Sequence, residues 1–299
     1  MTAALRAGLG AITLLGIVAP ITAPTVMQQS SQAPQQIAEH TFLFSNAHNN
    51  LLVQREPRAT FVAGVQDPAL VARARDWLSA QHAPPVRWVL AAAGDSAAEY
   101  GDGGWGATGA TVVAYEGIRG RMMGMRQPNR PASAPNAVPS LGFSEVVQLS
   151  LGDDEAHAVH QKEAGYGKSD VTVHIEGADV LYLGNVFTSD GYPDIDLASG
   201  GSIDGLIRTV DWFVTNFGDA SRVRYVPGRG AVADAHALHE YRDMLTSVRD
   251  AVRPLVAAGK SDAEIVAARP TSAFDARWGH GRIPPARFVT LVAQSLRRR

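Results

Sequence analysis

The chain has 299 residues, 45% apolar and 19% charged, the balance of an ordinary globular protein able to bury a sizeable core. A formal net charge of −2 excludes the basic face that nucleic acid calls for, and the one basic run, Arg297-Arg298-Arg299, stands at the terminus, where charge serves solubility. With no cysteine, a disulfide-stapled fold and a cysteine-borne lipid anchor are excluded as well.

Residues 1–36 read as a signal peptide followed by a polar N-terminal segment. Arg6 supplies one positive charge, 7–19 are mostly apolar, and a Gln/Ser-rich stretch covers 28–36. That order predicts export to the periplasm or the medium, with no stable membrane span after cleavage. The apolar run is short for a bilayer. Ala23, the best small residue for cleavage, precedes an unfavourable Pro24, so an uncleaved anchor stays open as the alternative. Residues 37–299 are expected to form one domain of roughly 260 residues.

Residues 40–44 and 51–56 read as a strand pair joined by a turn at 45–50, with a third strand over 59–65. Asp67-Pro68 then opens a helix, Asp67 as N-cap and Pro68 at the first helical position, with Leu70, Ala74, Trp77 and Leu78 on one face. Strands follow at 86–92 and 111–114, separated by a glycine-rich turn segment over 101–109. The Pro/Asn/Ser-rich stretch 127–140 reads as a surface excursion, since strand patterning resumes at 144–151. Gly152-Asp153-Asp154 turns into 155–161, and Glu176-Gly177 joins 171–175 to 179–183. The remainder is helical apart from a short strand at 224–226: helices are expected at 202–217, 234–258, 261–268 and 285–296, with Pro254 placed to kink or shorten the third-last of these elements near its end. Two such halves can stack as sheets flanked by helices, and pattern alone leaves several topologies open.

The second half carries a distinctive series: Val180-Leu181-Tyr182-Leu183-Gly184-Asn185-Val186-Phe187, Gly191-Tyr192-Pro193-Asp194-Ile195-Asp196, Ser199-Gly200-Gly201-Ser202-Ile203-Asp204-Gly205 and Val226-Pro227-Gly228-Arg229-Gly230. Tyr241-Arg242-Asp243-Met244-Leu245 and Phe274-Asp275-Ala276-Arg277-Trp278-Gly279 follow. In these segments, and over 40–297 as a whole, the chain resembles metallo-β-lactamase-fold hydrolases, especially exported bacterial members. The resemblance implies an α/β fold, a four-layer αββα sandwich of two mixed β-sheets flanked by helices, with a cleft along one edge.

That family holds zinc with imidazole and carboxylate ligands on loops at the strand ends. Here its His-x-His-x-Asp-His positions fall on Ala93, Asp95, Ala97 and Ala98. The next histidine position falls at Gly165-Tyr166, the bridging aspartate at Asn185, the histidine of the Pro-Gly-His-Gly turn at Arg229, and the acidic residue after the third strand at Ala63. A methyl group donates no lone pair and a guanidinium repels a cation. No metal and no other cofactor is therefore expected.

An Asp95–Arg229 ion pair across the cleft is one expectation, with both groups in water as the alternative. Lys168 and Asp170 are expected at the cleft rim, and the family carries an aspartate at the latter position. His157 and His160 fall on opposite faces of a strand. His236 and His239 share a helix face, His48 is a turn residue, and Trp278 and His280 lie in a glycine-rich segment suited to packing, a lid or a partner surface. Three functions stay open: a pseudoenzyme binding a small polar or anionic molecule or a protein partner, a metal-independent hydrolase using Asp95, Tyr166, Lys168 and Arg229, and a zinc hydrolase with ligands elsewhere, such as His48 or His160.

Overall fold

Two β-sheets lie face to face, each with helices on its outer side. The computed structural model describes residues 33–64, 67–91, 105–122, 139–218 and 221–298. The first sheet has seven strands in sequence order: β1 (Gln35–Ala38), β2 (Thr41–Ser45), β3 (Asn50–Arg55), β4 (Thr60–Gly64), β5 (Val86–Ala91), β6 (Thr111–Tyr115) and β7 (Leu141–Phe143). It is antiparallel from β1 to β4 and parallel from β4 to β7. The second sheet comprises β8 (Val146–Ser150), β9 (Glu155–His160), β10 (Val171–Ile175), β11 (Val180–Thr188) and β12 (Arg224–Arg229), antiparallel except for the β11–β12 pair.

Strand periodicity explains the layers. Leu43 and Leu52 face each other in register and point between the sheets, where they meet Val171, Val173 and Tyr182. Their neighbours Phe44, Leu51 and Val53 point outward to α1 (Pro68–Ala80), against Leu70, Val71, Ala74 and Leu78. Because both faces are covered, these strands are apolar almost throughout. The outer face of the second sheet is covered by α3 (Ile203–Phe217), α4 (Ala235–Ala257), α5 (Asp262–Ala267) and α7 (Pro285–Arg297), through a core that includes Leu183, Phe187, Leu206, Tyr241 and Phe288. The result is the expected αββα order, and among the described residues no helix is long and apolar enough to cross a membrane.

The helix starts follow their local chemistry. The Asp67 carboxylate accepts from the Ala69 and Leu70 amides at 2.9 and 3.2 Å, Ser202 caps Gly205 at 3.0 Å and Asp234 caps Ala237 at 2.9 Å. Pro254 lies inside α4, which ends three residues later. Five elements depart from the sequence reading. Strand β1 begins at Gln35, so the domain takes up the last two residues assigned to the N-terminal segment. Helix α2 (Glu116–Met122) contains two glycines that hide its pattern, and β7 and α6 (Asp275–Trp278) are too short to show a period. Strand β11 runs five residues beyond its expected end, since parallel pairing with β12 carries it past Gly184. The signal segment and most of the 127–140 excursion lie outside the described residues.

Candidate functional site

The neighbouring strands β11 and β12 carry Asn185, just past Gly184, and Arg229, at the end of β12. The pairing shifts register at Gly184, whose φ of +54° is natural to glycine, and resumes with Thr188 opposite Arg229. A Cβ at Gly228 would stand 2.9 Å from the Gly184 carbonyl carbon and 3.0 Å from Asn185 Oδ1, so only glycine lets the strands close up here. The turn is also tied to the first sheet. Buried Asn50, at the start of β3, donates its side-chain amide to the Pro227 and Gly230 carbonyls at 3.0 and 2.8 Å.

Tyr166 arrives on the 161–170 loop between β9 and β10, which lies flat on the 196–205 segment. The Tyr166 carbonyl accepts from the Asp196 amide at 2.8 Å, and the Ala164 carbonyl from Ser202 at 3.0 Å. Beta carbons at Gly201 and Gly205 would lie 1.9 Å and 2.1 Å from those same two carbonyl oxygens. Asp170 is buried and accepts from the Gly167 amide at 3.0 Å, which braces the loop from within. His160 braces it from below, stacked on Tyr115 at 3.7 Å with Nε2 on the Lys168 carbonyl at 2.8 Å.

These segments border a small, half-open pocket of about 70 Å³ lined by Tyr166, Asn185, Phe187, Thr188, Pro193, Asp194, Arg229 and Arg282. Three of the positions singled out in the sequence, Tyr166, Asn185 and Arg229, thus share one pocket. Lys168 lines a neighbouring pocket instead, with Ser202, Arg208 and Arg298. Ala93, Asp95, Ala97 and Ala98 lie outside the described residues. Among the described residues the charged partner of Arg229 is Asp190: Nε donates to both carboxylate oxygens at 2.9 Å, while Thr188 Oγ1 donates to Asp190 Oδ1 at 2.6 Å. A second pair, Arg282 to Asp194 at 3.0 Å, stands on the opposite rim.

Sequence reasoning did not find Asp190, Asp194 or Arg282 as site residues. Arg282 comes from the glycine-rich segment after α6, which adds a bridge between Tyr192 and Ile283 and crosses Gly191 so closely that a Cβ there would lie 2.6 Å from the Gly281 Cα. The paired glycines, far apart in sequence, were the available signal. Beneath the pocket, Phe187 packs edge-on against Tyr241 at 5.1 Å. The buried Tyr241 hydroxyl has no hydrogen-bond partner among the described residues; burial pushes its pKa up, and the Arg229 charge partly opposes this.

The lining residues do not fit a zinc ion. They offer a phenol, a neutral amide, one carboxylate already held by a guanidinium and two permanent cations, with no imidazole among them. Three other residues singled out in the sequence have local structural surroundings. The His48 amide bonds to the Asn46 side chain at 2.8 Å in the expected turn, His236 pairs with Glu240 along α4, and Trp278 is packed in the core.

No protein-family model matches the sequence, and no curated protein matches it. Solved structures do match in fold. A metallo-β-lactamase from Pontibacter korlensis is similar with a TM-score of 0.55 at 13% identity, over 72% of this chain and 98% of that one. The DIM-1 metallo-β-lactamase gives a TM-score of 0.55 at 14% identity, over 72% and 96%. TMB-1, whose structure was described with inhibitor and substrate binding, gives 0.54 at 14% identity, over 72% and 96%. The chain therefore has the metallo-β-lactamase fold.

Proposed function

We propose that this metallo-β-lactamase-fold chain is an exported pseudoenzyme that has lost the zinc site and binds a small polar or anionic molecule in the pocket of Tyr166, Asn185, Arg229 and Arg282. The carrying observation is the Asp190–Arg229 pair, which puts a fixed guanidinium and its counter-ion where the resemblance expects a metal ligand. The described segments around Tyr166, Asn185, Asp194 and Arg229 line one pocket, and the chemistry they offer with Arg282 is that of recognition: two planar hydrogen-bonding cations, an amide and a phenol. Fold likeness lends the scaffold and no activity.

Calorimetry with inorganic phosphate and with succinate, on wild type and Arg282→Ala, tests the binding reading. Saturable binding lost in the variant supports it. A screen of ester, lactam and phosphodiester substrates tests the pseudoenzyme reading: turnover that disappears in Arg229→Ala overturns it in favour of a metal-independent hydrolase. Export is supported by the charge, apolar run and small residues of the first 36 positions, and N-terminal sequencing of periplasmic protein that still begins at Met1 would refute cleavage.

A further inference from the structure

We propose that Glu155, His157 and Glu176 bind one divalent transition-metal ion of the zinc class, on the outer face of the second sheet and away from the pocket. Glu155 and His157 are two apart on β9, so they share a face. His174 of β10 stands directly opposite His157, and one row further Glu176 stands opposite Glu155, its amide bonded to the Glu155 carbonyl at 3.2 Å. Two imidazoles and two carboxylates thus occupy adjacent cross-strand rows.

The side chains already converge. His157 Nε2 lies 3.2 Å from a Glu155 carboxylate oxygen and 3.5 Å from one of Glu176, and one ligand atom from each of the three residues falls within 4.8 Å of the others. Ligands 2.0–2.2 Å from a tetrahedral zinc are separated by about 3.3 Å, so the array needs little movement to close on an ion. One imidazole and two carboxylates are a nitrogen and oxygen donor set suited to zinc.

A second feature is independent of those distances. Like charges directly across a strand pair destabilise it, and among the described residues neither Glu155 nor Glu176 has a lysine or arginine partner. The backbone nevertheless holds them together: the Asp154 carboxylate accepts from the Glu155 amide at 2.7 Å and the Gly177 amide at 2.8 Å, joining the two turns. Gln148 Nε2 also donates to Glu155, orienting its carboxylate. Beside the three, His174 is packed edge-on to Phe217 at 5.4 Å. A bound dication would cancel the carboxylate repulsion.

The test uses tag-free full-length chain stripped with chelator and titrated with zinc by calorimetry, with melting curves recorded in parallel. One equivalent should bind and raise the melting temperature. Glu155→Gln/Glu176→Gln and His157→Ala should each weaken binding by about tenfold or more, while their metal-free melting curves confirm folding. The double variant should still bind phosphate, because the pocket is separate. Absence of saturable zinc binding, or wild-type affinity in both variants, overturns the site; in that case His157 serves only as a hydrogen-bonding bridge between the two carboxylates.

Discussion

Asp190→Ala should lower stability and raise anion affinity together. In the native pocket two carboxylates, Asp190 and Asp194, balance two guanidiniums, Arg229 and Arg282. Removing Asp190 loses the charge-assisted bond from Arg229 Nε and the 2.6 Å bond from Thr188. Fully buried, such a loss would cost about 3–5 kcal/mol, because the remaining charge is orphaned. The Arg229 side chain is 12% exposed and that of Asp190 37%, so water recovers part of the loss and about 1–2 kcal/mol is expected, or roughly 2–6 °C in melting temperature. The freed guanidinium then gives the pocket a net charge of +1. At about 5 Å and an effective dielectric of about 40, one uncompensated charge attracts an anion by about 1–2 kcal/mol, which is about tenfold in affinity. Calorimetry with phosphate reads the gain, and Asp190→Asn should show it with a smaller stability loss. An affinity that falls in both variants would mean that Asp190 is not competing with the ligand for Arg229, and the reasoning fails.

Asn50→Ala strips two backbone carbonyls of their donor and should cost about 1–3 kcal/mol in chemical denaturation, with faster amide exchange in the 227–230 turn. Gly201→Ala drives a methyl into the Tyr166 carbonyl and should cost about 1–3 kcal/mol while weakening phosphate binding, whereas Gly259→Ala, at a positive φ of 70° but in open space, should leave binding untouched. Tyr241→Phe removes a buried hydroxyl without a partner, so its melting temperature should equal or exceed that of wild type; a clear drop would reveal a bond to that hydroxyl. Glu264 is held at about 2 by the Ser261 amide and Lys260 in the capping box of α5. Since folding depresses this pKa, its contribution is complete above the ordinary value of 4.5 and fades as pH falls toward 2; Glu264→Gln should flatten the acid limb of the stability profile over that window.

Much of the scaffold was legible because its signals are local. The continuous apolar runs in 41–55, the Asp67-Pro68 start and the Ser202 and Asp234 caps each depend on residues within one turn or one strand. Tyr166, Asn185 and Arg229 could be singled out together only because the motif series around them resembles a known fold. One partner of Arg229 was not legible: Asp190, 39 residues away, reaches it through the parallel pairing of Thr188 with Arg229, while Asp95, the partner suggested by the sequence, lies outside the described residues. Arg282 was hidden for the same reason, since a contact between Gly191 and Gly281 has no signature in either segment alone.

The two ion pairs of the pocket are unequal, and that asymmetry bears on how a ligand would enter. Asp190 grips Arg229 through both oxygens and is itself tied to Thr188, with the guanidinium largely enclosed. Asp194 holds Arg282 through one oxygen, and the Arg282 side chain is 54% exposed. An exposed single contact is worth little against water, so exchange of Asp194 for an incoming carboxylate or phosphate costs far less than breaking the Arg229 pair. On the proposed binding reading, Arg282 is accordingly the group a ligand would meet and recruit, and Arg229 the preset wall against which its remaining polar atoms would align. Asn50, Gly201 and Gly228 then acquire a common purpose, because each holds backbone rather than side chain in place around that wall, and a pocket that recognises by fixed hydrogen-bond direction depends on such backbone placement more than on any one charge.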